Sequence, residues 1–243
     1  MQHFTAIDLI ALAWFVCIWV GFTILVDRTP IGQRSLAKLM DQRRIDWVRQ
    51  CAERDNRIMD TQIMNGLQQG SAFFASTSLI AIGGALTIFQ NIETTAMLFE
   101  NLPIAYDSSP VLWEMKALGL SGMFAYCFFK FGWSYRLFNY ASILLGAIPP
   151  AEAVKNRATE AAVGRAANML TIAGQHFNAG QRGLFLSIGY LGWFVSPWIL
   201  IAASTFVFLI LYRRQFHSRA RRACLAEAIH DKRIKLNVPM SEE

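Results

Sequence analysis

Lys130 lies inside the apolar stretch Val111–Ile148. A lysine in the middle of a membrane span costs about 2.5–3.5 kcal/mol on insertion scales, so its ammonium should face a partner or water. Wound as a helix, Tyr126, Trp133 and Ser134 share its face, and Met123 lies a turn or two before it. Two readings stay open. One is a binding or proton-relay site. The other is a lysine snorkelling to the inner boundary with a structural partner such as Asp27. Asp8 presents the same choice one turn into the first apolar block: a proton-relay carboxylate, or an anion at headgroup level favoured by the helix macrodipole.

The run QHFNAGQR, residues 175–182, places His176 and Arg182 among polar donors just before another apolar block. It reads either as a headgroup or anion site, or as a helix C-terminus followed by a glycine turn and a flanking arginine. Glu114 and Lys116 are expected to be solvated or paired at the outer interface, and Arg136 to anchor at headgroups on the other side.

Other chemistry lacks its motifs. His3, His176, His217 and His230 show no HxxH or HxxxH spacing, and Cys17, Cys51, Cys127 and Cys224 form no CxxC pair. Neither a metal site nor a cofactor is therefore expected. No GxSxG, Walker loop, GxGxxG or HExxH occurs.

The elements that must carry these residues are helical and mostly apolar. Hydrophobic residues make up 54% of the chain, gathered into blocks between charged stretches, which is membrane patterning. The expected fold is all-α: an integral membrane helical bundle of about four transmembrane helices, with long helical extensions and an interfacial amphipathic helix. The spans fall at about 6–26, 71–89, 113–136 and 184–211. The first lacks a basic leader and a cleavage signal, so it reads as a retained anchor.

Amphipathic helices are expected at about 34–69 and 151–177, and a basic tail at 213–243. In the former, Leu36, Met40, Trp47, Cys51 and Ile58 form a stripe. Continued into the next span, that stripe becomes Asn65, Gln69, Ala72, Ser76, Gly83 and Thr87, the small and polar character that helix packing favours in lipid. On the latter, Val154, Ala158, Ala161, Met169 and Ile172 share a face. In the last span Gly189, Gly192, Ser196 and Ala203 make another small-residue seam, with a kink at Pro197.

The formal net charge of +6 sits around the apolar blocks, which points to anionic lipid headgroups rather than nucleic acid. The basic stretches 28–57 and 136–182 belong inside by the positive-inside rule, and the acidic loop 91–110 and the N-terminus outside. Four crossings would then leave the tail outside, although Arg213, Arg214, Arg219, Arg221 and Arg222 argue for the inside. Three readings reconcile the tail: an outside location beside the acidic loop, a re-entrant Pro197 segment, or an inverted orientation.

The stretches FAYCFFKFGWSYRLFNYASILLGAIP, GQHFNAGQRGLFLSIGYLGWFVSPW and LYRRQFHSRARR resemble an uncharacterised family of multi-span membrane proteins, a domain of unknown function found in proteobacteria and plants. The resemblance covers nearly the whole chain and implies an architecture without an assigned activity. The leading expectation is a structural or interaction protein of a bacterial inner membrane, a homo-oligomer or a partner subunit. A small transporter or channel with a polar site around Lys130 is the alternative, and a lipid-acting enzyme the third.

Overall fold

The computed structural model describes residues 5–91, 109–150 and 157–225. Among them every regular element is helical: α1 Ala6–Arg28, a single 3₁₀ turn Gly32–Arg34, α2 Leu36–Ala52, α3 Ile58–Gln90, α4 Pro110–Gly146, α5 Arg157–Tyr190, the short α6 Gly192–Val195 and α7 Pro197–Phe216. Helical turns continue at 219–225. Side-chain caps start several of them. Thr5 and Asp8 form a capping box on α1, and Ser35, Ser109 and Ser196 cap α2, α4 and α7. Pro110 and Pro197 occupy first-turn positions, where a missing N–H costs nothing.

Paired contacts fix the directions of the helices. α4 runs antiparallel to α5: Gly119 meets Tyr190, Cys127 meets Gly183, and Phe131 meets Gly180. Farther along, the Ser134 hydroxyl donates to the Ala173 carbonyl at 2.8 Å. α3 packs along α4, with Phe74 stacked on Phe131 and Gln68 donating to Ser142, and Phe74 also reaches Phe177 of α5. α1 and α7 are parallel, joined from Trp14 to Thr205 and from Phe22 to Phe208. We call the amino-terminal end of α1 the upper end.

Two cores follow. The upper one joins α1, α4 and the α5–α7 region through Phe15, Leu120, Leu186, Trp193 and Leu200. The lower one joins α2, α4 and α5 through Val48, Phe138, Ala141, Ala166 and Leu170.

Three helical stretches are long and apolar enough to cross a membrane: Ala6–Arg28, Ile58–Gln90 and Pro197–Leu225. α4 is long enough, but Glu114, Lys116, Lys130 and Arg136 dilute its apolarity. The all-α bundle with apolar spanning helices is as expected; among the described residues three of about four expected spans meet the length and apolarity of a crossing.

Four details differ from the sequence reading. First, residues 34–69 are not one helix, because α2 stops at Ala52 and α3 restarts at Ile58. The buried positions of α2 are Asp41, Val48 and Cys51, and Ile58 is exposed. The break also resets the helical phase. The buried seam of α3 is Met64, Ser71, Ser78 and Ala85, while Asn65, Gln69, Ser76, Gly83 and Thr87 face outward. The seam is small-residue as expected, but turned by one position.

Second, Pro197 marks a reversal rather than a kink. Gly189 packs on Ser204, Gly192 on Ile199, and the Arg214 guanidinium lies 5.6 Å from the Phe185 ring. These rungs make α5 and α7 the two legs of a hairpin closed at Ser196–Pro197. A Cβ at Gly189 would press on the Ser204 backbone, so glycine permits the close approach.

Third, the amphipathic segment at 151–177 is no separate interfacial helix. Residues 151–156, with Val154, lie outside the described residues, and the rest is the lower half of α5. Its buried face is Ala166, Ala167, Leu170 and Ala173, whereas Ala158, Ala161 and Ile172 are exposed. Fourth, the described part of the basic tail packs against α2. Gln215 accepts from the Ala37 amide at 3.2 Å, and Arg221 donates to the Arg34 carbonyl at 2.7 Å. Residues 226–243 lie outside the described residues.

Candidate functional site

The residues singled out in the sequence fall into two places. At the upper end, Asp8 is fully buried. Its Oδ2 accepts from the Thr5 hydroxyl at 2.6 Å, and its Oδ1 accepts from the Trp193 indole N–H at 2.9 Å. Lys116 is also buried, 1% exposed, which corrects the expectation of a solvated or interfacial lysine. Its Nζ lies 5.4 Å from the Trp113 ring and 5.7 Å from the Trp193 ring, and the Asp8 charge acts on it. Asp8 thus keeps its place in the first turn of α1 but gains a buried cation and an indole. Lys116 is the residue the sequence reading missed. Trp113 lies on its own helix, but Asp8 and Trp193 come from α1 and α6, which i,i+4 reasoning along α4 could not supply.

The second place is where the lower end of α1 meets α4 and α5. Arg182 donates to Asp27 Oδ2 at 2.7 Å, with its own side chain only 6% exposed and its Nε left without an acceptor. Lys130 Nζ stands 5.4 Å from the Tyr126 ring. Tyr126 meets Trp19 of α1 edge-on at 5.4 Å and lies near enough to Arg182 to feel its charge. His176 feels the charge of Lys130, and its Nδ1 is buried without a hydrogen-bond partner. Burial first, and the Lys130 charge second, hold the His176 imidazole below its ordinary pKa. Lys130, Tyr126, His176 and Arg182 therefore belong together.

Trp133 does not join them. It is 48% exposed and takes the Arg136 guanidinium at 5.8 Å, while Arg136 also donates to the Tyr140 hydroxyl. Ser134 turns into the bundle, bonded to Ala173. Asp27 partners Arg182 rather than Lys130. The run 175–182 is helix interior throughout, not a C-terminus with a glycine turn, and Gly180 is small because the Phe131 ring lies against it.

Below this junction the polar groups pair more conventionally. Asp41 accepts from Arg44 at 2.7 Å and from Gln175 at 3.0 Å, with Lys38 at 3.6 Å. Asp60 Oδ1 accepts from Trp47 at 2.6 Å and Arg54 at 2.8 Å. Arg57 donates to the Ile148 and Pro149 carbonyls just past the end of α4. A cleft of about 290 Å³ lies here, lined by Cys51, Asp60, Asn65, Gln68 and Ser142 among others. Burial and the Asp60 charge raise the Cys51 thiol, so it is a poor nucleophile. Lys130 does not line this cleft. Among the described residues no group of three His, Cys, Asp or Glu side chains could hold a metal.

Fold and composition together define an all-α bundle whose long apolar helices are those of a membrane protein in length and composition. The family described as "Protein of unknown function, DUF599" matches residues 10–220, and the chain belongs to that family. No curated protein and no solved structure matches it.

Proposed function

We propose that the chain is a multi-span protein of the bacterial inner membrane that serves as a structural or partner-binding subunit. The observation that supports this reading is the α5–α7 hairpin. It returns Arg213, Arg214 and Arg221 to the end of the bundle where α2 begins. With α1, α3, α4 and the two hairpin legs as five crossings, the basic stretch 28–57, the lower ends of α4 and α5, and the start of the tail all lie on one side. The positive-inside rule then makes that side cytoplasmic and the N-terminus external. The lower core of α2, α4 and α5 would project inward as a helical platform.

Reporter fusions test the topology. A cytoplasmic signal after His217 together with an external N-terminus supports it, and an external signal after His217 sinks it. Purification in mild detergent tests the role: a homo-oligomer or a co-purifying partner is expected, and a lone monomer counts against it.

A small transporter or channel is the second reading, and it draws on the buried Asp8 and Lys116 rather than on Lys130. It needs a water-filled route to them. Labelling of Met123→Cys by a membrane-impermeant thiol reagent would favour it, and complete protection would remove it.

A further inference from the structure

We propose that the junction of α1, α4 and α5 at the Arg182 level binds the phosphate group of an anionic lipid headgroup, with Lys130 and Arg182 as its cationic ligands. The inference rests on the membrane reading above and adds a ligand to it.

The donor set is incomplete without an anion. Arg182 spends one N–H on Asp27 and leaves Nε buried and unused. Lys130 has an aromatic face but no carboxylate within ion-pair distance among the described residues. Buried donors are almost always paired, so an unpaired guanidinium N–H beside a half-buried ammonium calls for an acceptor. His176 Nδ1, also buried and unpartnered, adds a third polar atom at the same junction.

Charge selects the class of anion. Lys130 and Arg182 bring two positive charges and Asp27 one negative, leaving a single positive excess. The next carboxylate down, Asp41, is already held by Arg44, Lys38 and Gln175. One excess charge suits a phosphodiester monoanion better than a phosphate dianion. His176, Ala179 and Gly183 follow one flank of α5, and Gly183 lets the Tyr126 ring of α4 approach closely. Phe129, next to Lys130, turns 71% of its surface outward and offers apolar area for an acyl chain, which favours a lipid over free phosphate. Basic pockets between membrane helices on the cytoplasmic side commonly hold such headgroups.

The test uses the purified full chain, exchanged into nanodiscs of mixed phosphatidylglycerol and phosphatidylcholine and released for native mass spectrometry. Wild type should retain phosphatidylglycerol over phosphatidylcholine. Lys130→Gln should lower that preference about tenfold, the loss of one charge-assisted contact. Lys130→Arg should restore it, and unchanged melting temperatures would exclude misfolding. Equal retention of the two lipids by wild type, or an undiminished preference in Lys130→Gln, would overturn the site. Displacement of the lipid by millimolar inorganic phosphate, dependent on Lys130, would overturn the lipid assignment in favour of free phosphate. Carbonate washing of membranes separates this failure from that of the membrane reading. A chain that washes off is not spanning, whereas a chain that stays but shows no lipid preference lacks only the site.

Discussion

The upper and lower cores of the bundle solve one problem in two ways. The upper core is built from large rings and aliphatics, and the ionised groups within it, Asp8 and Lys116, are buried and wrapped in indoles. The lower core is built on alanines, and its ionised groups stand in shared clusters such as Asp41 with Arg44, Lys38 and Gln175. The contrast follows from the surroundings. In the lower half the carboxylates are buried too, but cationic partners such as Lys38 and Arg54 reach the surface, so clusters there are adjustable. A charge in the upper half has no such relief, so it must be matched inside the protein.

The largest effect should come from unbalancing the upper half. Lys116→Met leaves Asp8 buried with only Thr5 and Trp193 as donors. The two act on each other through charge rather than a direct ion pair, so the cost is that of leaving a buried charge uncompensated, about 3 kcal/mol or more. Thermal unfolding in detergent should show this as a large drop in melting temperature. The double variant Asp8→Asn with Lys116→Met should recover part of the loss, because no uncompensated charge remains. If the double variant is as damaged as the sum of the singles, Asp8 and Lys116 do not act as a unit.

Next in size is the hairpin that distinguishes the upper half from a simple crossing. Gly189→Ala brings a Cβ against the backbone of Ser204, which cannot swing aside as a side chain could. Overpacking of this kind costs about 1–3 kcal/mol. The same substitution at Gly83, where a Cβ meets nothing, should be neutral or slightly stabilising. Equal effects at the two glycines would mean that the α5 and α7 legs are not in contact.

Much of this architecture was legible in the chain. Apolar blocks, small-residue seams and the basic flanks are local properties, and the structure keeps them. The α4 helix could be read from end to end because Pro110 opens it and Pro149 follows it. What could not be read depends on phase and on long-range pairing. Residues 53–57 carry no proline or glycine, and the one mark of the break between α2 and α3 is Asp55-Asn56, whose Asn56 side chain accepts from the Ile58 amide; the phase of every later position on α3 shifted with it. Ser196–Pro197 reads equally well as a kink or a capped restart, and only the contacts of Gly189 and Gly192 on the far leg decide between them. At the candidate site, Tyr126 and Lys130 are i,i+4 neighbours and were paired from sequence, whereas their proximity to His176 and Arg182 required α4 and α5 to lie antiparallel.

The junction between the two halves should respond to pH through His176. Its pKa is held down in the folded protein, so the unfolded chain binds the proton more readily. Stability is then fully present above the unfolded value of about 6.5 and declines as pH falls below it towards the folded value. Melting temperatures of wild type should fall from pH 7.5 to pH 5.5, and His176→Gln should flatten part of that fall. An identical decline in the variant would assign the effect to other groups.

The smallest effect tests the claim about the lower half at its rim. Arg43 and Asp46 form a half-exposed pair at 3.7 Å, one turn apart on α2. Such pairs contribute about 0–1 kcal/mol and are screened by salt. Asp46→Ala should therefore move the melting temperature barely, and less still at high ionic strength. Asp41→Ala, five residues earlier on α2, removes an acceptor shared by Arg44 and Gln175 and should cost more. The difference between the two substitutions measures how much of the lower half depends on organised charge and how much on its alanine core. If both are silent, packing of Val48, Ala141 and Leu170 carries that half alone, and the contrast with the upper half is sharper than the hydrogen bonds suggest.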